Sequence, residues 1–160
     1  MKSQKKKRGE RMSWLVGLVP LATGFVMGRI CPARERALAS PPPAQPPSAV
    51  FGIVWPLLYL ALGVAWVRAR ERTSADVWFV LIVGSLLLWQ YLWGCRGDEK
   101  LALYSLIASI ALVLATALWI NQADRTASVL LAPLLAWLIL ASMLNYSIVD
   151  RSASARAADK

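Results

Sequence analysis

The chain predicts an all-α integral membrane protein, a bundle of five transmembrane helices, and three observations carry that prediction. Hydrophobic residues make up 58% of its 160 positions, above the usual share of a soluble domain. Five apolar stretches, 14–30, 50–67, 77–93, 101–120 and 127–149, each approach the roughly 20 residues that a spanning helix requires. The cationic residues gather between and beyond those stretches, as they do where charge is kept out of hydrocarbon. The organisation that follows is a basic N-terminal tail at 1–13, a membrane domain at 14–150 and a C-terminal tail at 151–160. So little chain is left over that any function is housed in the bundle or its loops.

The first stretch has one competing reading. A basic start, an apolar run and Ala37-Leu38-Ala39 resemble a secretory signal with its cleavage site. The run is longer than a signal core, and Arg29, Arg34, Glu35 and Arg36 intervene, so we keep it as a helix of the mature protein. Gly24 and Gly28 stand four residues apart in it, a small-residue spacing that lets another backbone approach. Ordinary packing within the bundle is the preferred reading of that pair.

The six cations Lys2, Lys5, Lys6, Lys7, Arg8 and Arg11 place the N-terminal tail on the cytoplasmic side, and Arg68, Arg70 and Arg72 fall on that same side of a five-helix chain. Arg34, Arg36, Arg151 and Arg156 fall opposite and dilute the bias. The net charge of +9 is therefore assigned to lipid headgroups and topology, and nucleic acid is not an expected partner. Which membrane holds the protein is left open.

The connection 40–48 contains Pro41, Pro42, Pro43, Pro46 and Pro47 and is extended and stiff, because each Pro removes a donor and restricts its predecessor. Composition alone reads it as a linker; it also leads straight into the second helix, where Pro46 and Pro47 stand as candidates for a lid over the bundle mouth. The later connections are short and predict adjacent antiparallel helices. Cys31 and Cys95 sit near the ends of the first and third helices on one face of the bundle; a disulfide is geometrically allowed there, but nothing in the spacing favours one. The chain has no His and no Cys pair with ligand spacing, so neither a metal site of the usual kinds nor a haem held by an axial His is expected.

Eight tryptophans divide by position. Trp14, Trp66, Trp78 and Trp119 lie near helix ends, where interfacial belts account for them. Trp55, Trp89, Trp93 and Trp137 lie deeper, either as packing or as flat walls for a planar ligand. The fourth stretch, rich in Leu and Ala, is read as scaffold. In the fifth, Pro133, Trp137, Ala141 and Asn145 recur every four residues and predict an inward face. An Asn at that depth requires a partner, a neighbouring helix or a ligand, because lipid tails offer none. Leu144, Tyr146 and Arg151 also satisfy the short pattern proposed for sterol contact, a weak signal.

Two segments carry a family resemblance. Pro46-Pro47-Ser48-Ala49-Val50-Phe51-Gly52-Ile53-Val54-Trp55-Pro56-Leu57-Leu58-Tyr59, followed by Gly63, resembles the loop and second helix of the tryptophan-rich sensory protein family, TspO, which includes the mitochondrial translocator protein. Pro133-Leu134-Leu135-Ala136-Trp137, then Ala141 and Leu144-Asn145-Tyr146, is similar to that family's fifth helix. The resemblance covers about residues 14 to 150. The chain departs from the family pattern at Ala49, Ile53, Leu86, Gln90, Tyr91 and Leu134, positions that usually hold Trp, Pro, Asn, Ser, Pro and Tyr.

The resemblance implies a pocket open toward the first connection that binds porphyrins, including haem, and in some members sterols. At matching positions it implies a ligand-binding set of Phe51, Trp55, Tyr59, Trp89, Trp93, Trp137, Ala141 and Asn145. No cofactor is required, the porphyrin being a ligand, and family habit with the Gly24 and Gly28 face implies a homodimer. Arg34 and Arg36 are expected to meet porphyrin propionates by charge-assisted hydrogen bonds; unchanged affinity at low salt after replacing both would sink that pairing. A receptor that sequesters or moves tetrapyrroles is the leading function. A porphyrin-degrading enzyme is the alternative, set back by the lack of a triad or paired inward carboxylates, since Asp98, Glu99 and Asp124 lie in connections. A small-solute transporter or structural membrane subunit is the third, set back by the lack of an ionisable residue in mid-span.

Overall fold

The computed structural model describes residues 14–32 and 46–158. The basic tail before Trp14, Arg34, Arg36 and the prolines from 41 to 43 lie outside the described residues. The chain forms α1 (Val19–Ile30), α2 (Ser48–Ala69), α3 (Ala75–Gln90), a π-helical extension of α3 (Tyr91–Arg96), α4 (Glu99–Asn121) and α5 (Arg125–Ala158). A helical turn at 14–17 precedes α1 and breaks at Leu18, just ahead of Pro20. Four helices are long and apolar enough to cross a membrane, and the shorter apolar helix Trp14–Ile30 makes the fifth. α5 continues past the apolar run as far as Ala158, so 151–158 prolong the last helix.

The helix ends follow from local chemistry. The Leu101 amide donates to the Asp98 carboxylate at 3.0 Å, which caps α4, and the Ala127 amide donates to Asp124 at 2.9 Å, which caps α5. Gly97 ends the π-helical turn in the left-handed region, φ 66°, where a side chain would be strained.

α1 packs on α2 and α3, α2 on α5, α5 on α4, and α4 on α3, which closes a ring. α2 and α3, joined by a short connection, do meet, through side chains such as Trp66 on Phe79 and Asp76 more than through close backbones, and α1 lies against both on one side of the ring. The reason is the close approach that glycine allows. A Cβ on Gly63 would stand 1.8 Å from the Gly17 carbonyl oxygen, and one on Gly24 would stand 2.4 Å from the Tyr59 ring. Gly24 therefore serves packing within one chain, and Gly28 meets nothing within 4 Å.

The bundle is lined by Leu62, Phe79, Ile82, Leu86, Leu106, Val113, Leu131, Leu134 and Leu138, all buried, while Leu57, Val80, Leu118 and Met143 face outward. An apolar exterior is what a bilayer solvent selects. Among the described residues the buried polar side chains are Ser109, Thr116 and Asn145. Ser109 joins α4 to α3 by donating to Ser85 Oγ at 3.0 Å, and Thr116 donates to the Leu112 carbonyl at 2.7 Å. Asn145 is the exception.

Trp66 is not an interfacial belt residue. It is buried, stacks on Phe79 at 5.7 Å between ring centroids and donates its indole N–H to Asp76 at 2.6 Å. The end of the bundle that carries it is tied by ion pairs, Arg70 to Asp76 at 3.2 Å and Arg68 to Asp124 at 3.0 Å. Arg72 lies over the Trp119 ring, 4.2 Å from its centroid, and donates to the Trp119 carbonyl.

Candidate ligand site

α5 turns Ala127, Leu131, Leu134, Leu138, Ala141, Asn145 and Ile148 inward, steps of three and four residues. Pro133, expected on that face, is exposed. Steps of four alone overshoot a helical turn by about 40° each, so three of them swing Pro133 well away from Asn145. Trp137 lies half-buried at the edge of the inward stripe.

Around that edge the aromatic residues meet. Trp55 of α2 stacks with Trp89 of α3 at 5.3 Å between ring centroids, with an interplanar angle of 25°. Tyr59, one turn along α2, lies 5.6 Å from Trp55. Trp137 meets Trp55 edge-on at 6.4 Å and Phe51 edge-on at 5.4 Å. Thus Phe51, Trp55, Tyr59, Trp89 and Trp137 form one cluster built from α2, α3 and α5. Trp55 and Trp89 are already in ring contact, which leaves no room for a further plane between them.

The polar atoms of this region are the unusual part. The Tyr59 hydroxyl, the indole nitrogens of Trp89 and Trp137, the Gln90 amide oxygen and both amide atoms of Asn145 are buried and have no hydrogen-bond partner among the described residues. Asn145 is only 3% exposed. Buried polar atoms are otherwise almost always paired, and each orphan costs about 1–3 kcal/mol. Gln90 continues the inward stripe of α3 through Phe79, Val83 and Leu86, and sequence reasoning passed over it, noting it only as a departure from the family pattern. The signal available was its spacing, four residues beyond a buried apolar position.

Of the remaining expected residues, Ala141 lies on the inward stripe and Trp93 is half-buried in the π-helical turn. Pro46 and Pro47 stand at the entrance of α2, Pro46 half-buried and Pro47 exposed. Tyr146 faces outward, 62% exposed, Leu144 is half-buried and Arg151 is exposed, so the sterol pattern runs along the outer side of α5.

At the end of the bundle nearest the cluster, Cys31 and Cys95 are joined in a disulfide with Cα atoms 4.9 Å apart. The spacing alone did not favour this bond. What brings the pair together is the ring closure of α1 onto α3 and the π-helical turn, where Gly94 admits the Cys31 carbonyl; a Cβ there would stand 2.6 Å from it. Beside it, Arg96, Asp98, Glu99, Lys100, Val149 and Ser152 line a polar cleft of about 640 Å³, spanned by a hydrogen bond from Ser152 to Glu99 of 2.9 Å.

A five-helix membrane bundle with an aromatic interior and unpaired polar groups is thereby defined. The chain belongs to the TspO/MBR family, whose model matches residues 16–150. It is 31% identical over 144 residues to a translocator protein homolog of Schizosaccharomyces pombe, covering 82% of this chain and 87% of that one. It is 32% identical over 108 residues to the tryptophan-rich protein TspO of Archaeoglobus fulgidus, covering 64% and 70%. It is 34% identical over 113 residues to the translocator protein of Bos taurus, covering 66% and 67%.

Proposed function

We propose that the chain is a membrane receptor for tetrapyrroles, which it binds in the outer half of the bundle without covalent chemistry. The observation that supports this reading most is the set of orphaned polar atoms around the aromatic cluster: Tyr59, Trp89, Gln90, Trp137 and Asn145. They offer N–H and O–H donors beside carbonyl acceptors and carry no charge. A porphyrin answers both kinds, through ring nitrogens that donate or accept and carboxylates that accept, on a flat body suited to indole faces. A sterol, with one hydroxyl, leaves most of them unpaired. The ligand meets the outer surfaces of the Trp55 and Trp89 pair or separates the two rings, since it does not fit between them as they stand.

Titration of protoporphyrin IX and haem into the purified protein, followed by quenching of Trp fluorescence, tests the reading. Saturable quenching that weakens at least tenfold in Trp137→Ala and Asn145→Ala supports it. No saturable quenching overturns it, and loss of porphyrin absorbance with time or light would move the assignment to the degrading enzyme.

A further inference from the structure

We infer that the Cys31–Cys95 bond is a thiol–disulfide exchange site whose oxidation state sets access to the aromatic cluster through α1. The access step rests on the tetrapyrrole reading; the exchange and its effect on α1 do not.

α1 is the wall of the ring with the least holding it. Along Val19–Ile30 only Pro20 and Gly24 are buried, and Phe25, Val26 and Ile30 face outward, each more than half exposed. Its hold on the bundle lies toward its start and middle: Pro20 is fully buried, Val16 and Leu21 pack against the core, Gly17 meets Gly63, and Gly24 meets the Tyr59 ring. At the other end the tie is the disulfide. Between these two ties, at Gly24, α1 covers Tyr59, whose ring lies against Trp55 and whose hydroxyl is one of the orphaned atoms. Without the bond, no side chain of this segment's described residues after Gly24 other than Cys31 is buried to keep the outer end of α1 closed.

The two sulfurs are unequal. Cys31 is 4% exposed, whereas Cys95 is exposed and stands next to Arg96, which lines the polar cleft. A dithiol reductant thus reaches Cys95 first. Its thiolate attacks Cys95 Sγ to form a mixed disulfide, and Cys31 leaves as a thiolate that takes up a proton. The second thiol of the reductant then closes on its own sulfur and releases Cys95. Two electrons pass from the dithiol to the protein, and the reductant leaves as a disulfide.

The test uses the full chain in lipid nanodiscs, oxidised or treated with dithiothreitol, with the thiol count read by alkylation and mass. Amide hydrogen exchange over 19–30 is expected to accelerate at least tenfold on reduction while α4 is unchanged, and protoporphyrin IX quenching is expected to set in several-fold faster. In the single variants, both of which lack the bond, a maleimide should label Cys95 in Cys31→Ser rapidly, and amide exchange over 19–30 should match that of the reduced parent. Resistance of the bond to dithiothreitol in the folded protein, or full reduction with unaltered exchange over 19–30, would overturn the proposal. Faster α1 exchange with no porphyrin binding in either state supports the exchange site and rejects the tetrapyrrole reading alone.

Discussion

Gly63 of α2 lies so close to Gly17 that a Cβ on Gly63 would stand 1.8 Å from the Gly17 carbonyl oxygen. Backbone meets backbone there, and the crossing sets where α1 seals the ring. Gly63→Ala should therefore force α1 outward and lower the thermal stability of the detergent-solubilised protein by about 1–3 kcal/mol, the usual cost of overpacking. Gly84 meets nothing within 4 Å, so Gly84→Ala should be neutral or raise stability by up to about 1 kcal/mol through helix propensity. Equal losses in both variants would refute the close-approach account.

Asn145 should trade stability against binding. Its amide is buried without a partner among the described residues, and Asn145→Leu removes the orphaned groups while filling the space with apolar atoms. The ligand-free protein is expected to gain about 1–3 kcal/mol, and porphyrin affinity to fall at least tenfold. A scan of melting temperature beside fluorescence quenching checks both signs in one preparation.

Within the membrane span, Ser109 links α4 to α3 through Ser85. Interhelical bonds of this type average about 0.6 kcal/mol in membrane proteins. Ser109→Ala and Ser85→Ala should each cost about that much, and the double variant no more than either plus a few tenths. A double-mutant cycle in denaturant unfolding reads the coupling.

Asp124 links stability to pH at the opposite end of the bundle. The Ala127 amide it accepts from, and then Arg68, hold its carboxyl below the ordinary carboxylate range. A lowered folded-state pKa stabilises the fold above the unfolded value of about 4. That contribution fades as pH falls from there through the folded value. The melting temperature of Asp124→Ala should thus lie below that of the parent at pH 7, with the gap narrowing as pH falls below about 4. A gap that persists unchanged at pH 3 would assign the effect to something other than the carboxylate.

Two independent features predict an orientation. By the positive-inside rule the basic tail and Arg68, Arg70 and Arg72 are expected on the cytoplasmic face. The disulfide closes the opposite face, and such bonds persist in oxidising compartments. A reporter enzyme active only outside the cytoplasm should be active when fused after Lys160 and silent when fused before Met1. The reverse pattern would place the disulfide in a reducing compartment.

Much of this protein was legible in the sequence by itself. Hydrophobic length determined the helices, since a run such as 101–120 has no other stable use than spanning lipid. The residues of the cluster were nameable too: Trp55, Trp89 and Trp137 as deep tryptophans open to packing or ligand contact, and Asn145 as a polar group at membrane depth that requires a partner. Tertiary structure decided the rest. Pro133 rotates out of the site because a helix turns through 100° per residue, an angle that a four-residue spacing only approximates. Trp66 is core where its place near a helix end suggested a belt, because Asp76 and Phe79 arrive from the next helix. The stacking of Trp55 on Trp89, and the union of Cys31 with Cys95, required knowing that α1 and α5 flank α2 while α3 closes the ring behind α1. Helix formation is written in contiguous residues, whereas ring order is set by which backbones can touch, a property of pairs such as Gly17 and Gly63 that stand far apart in the chain.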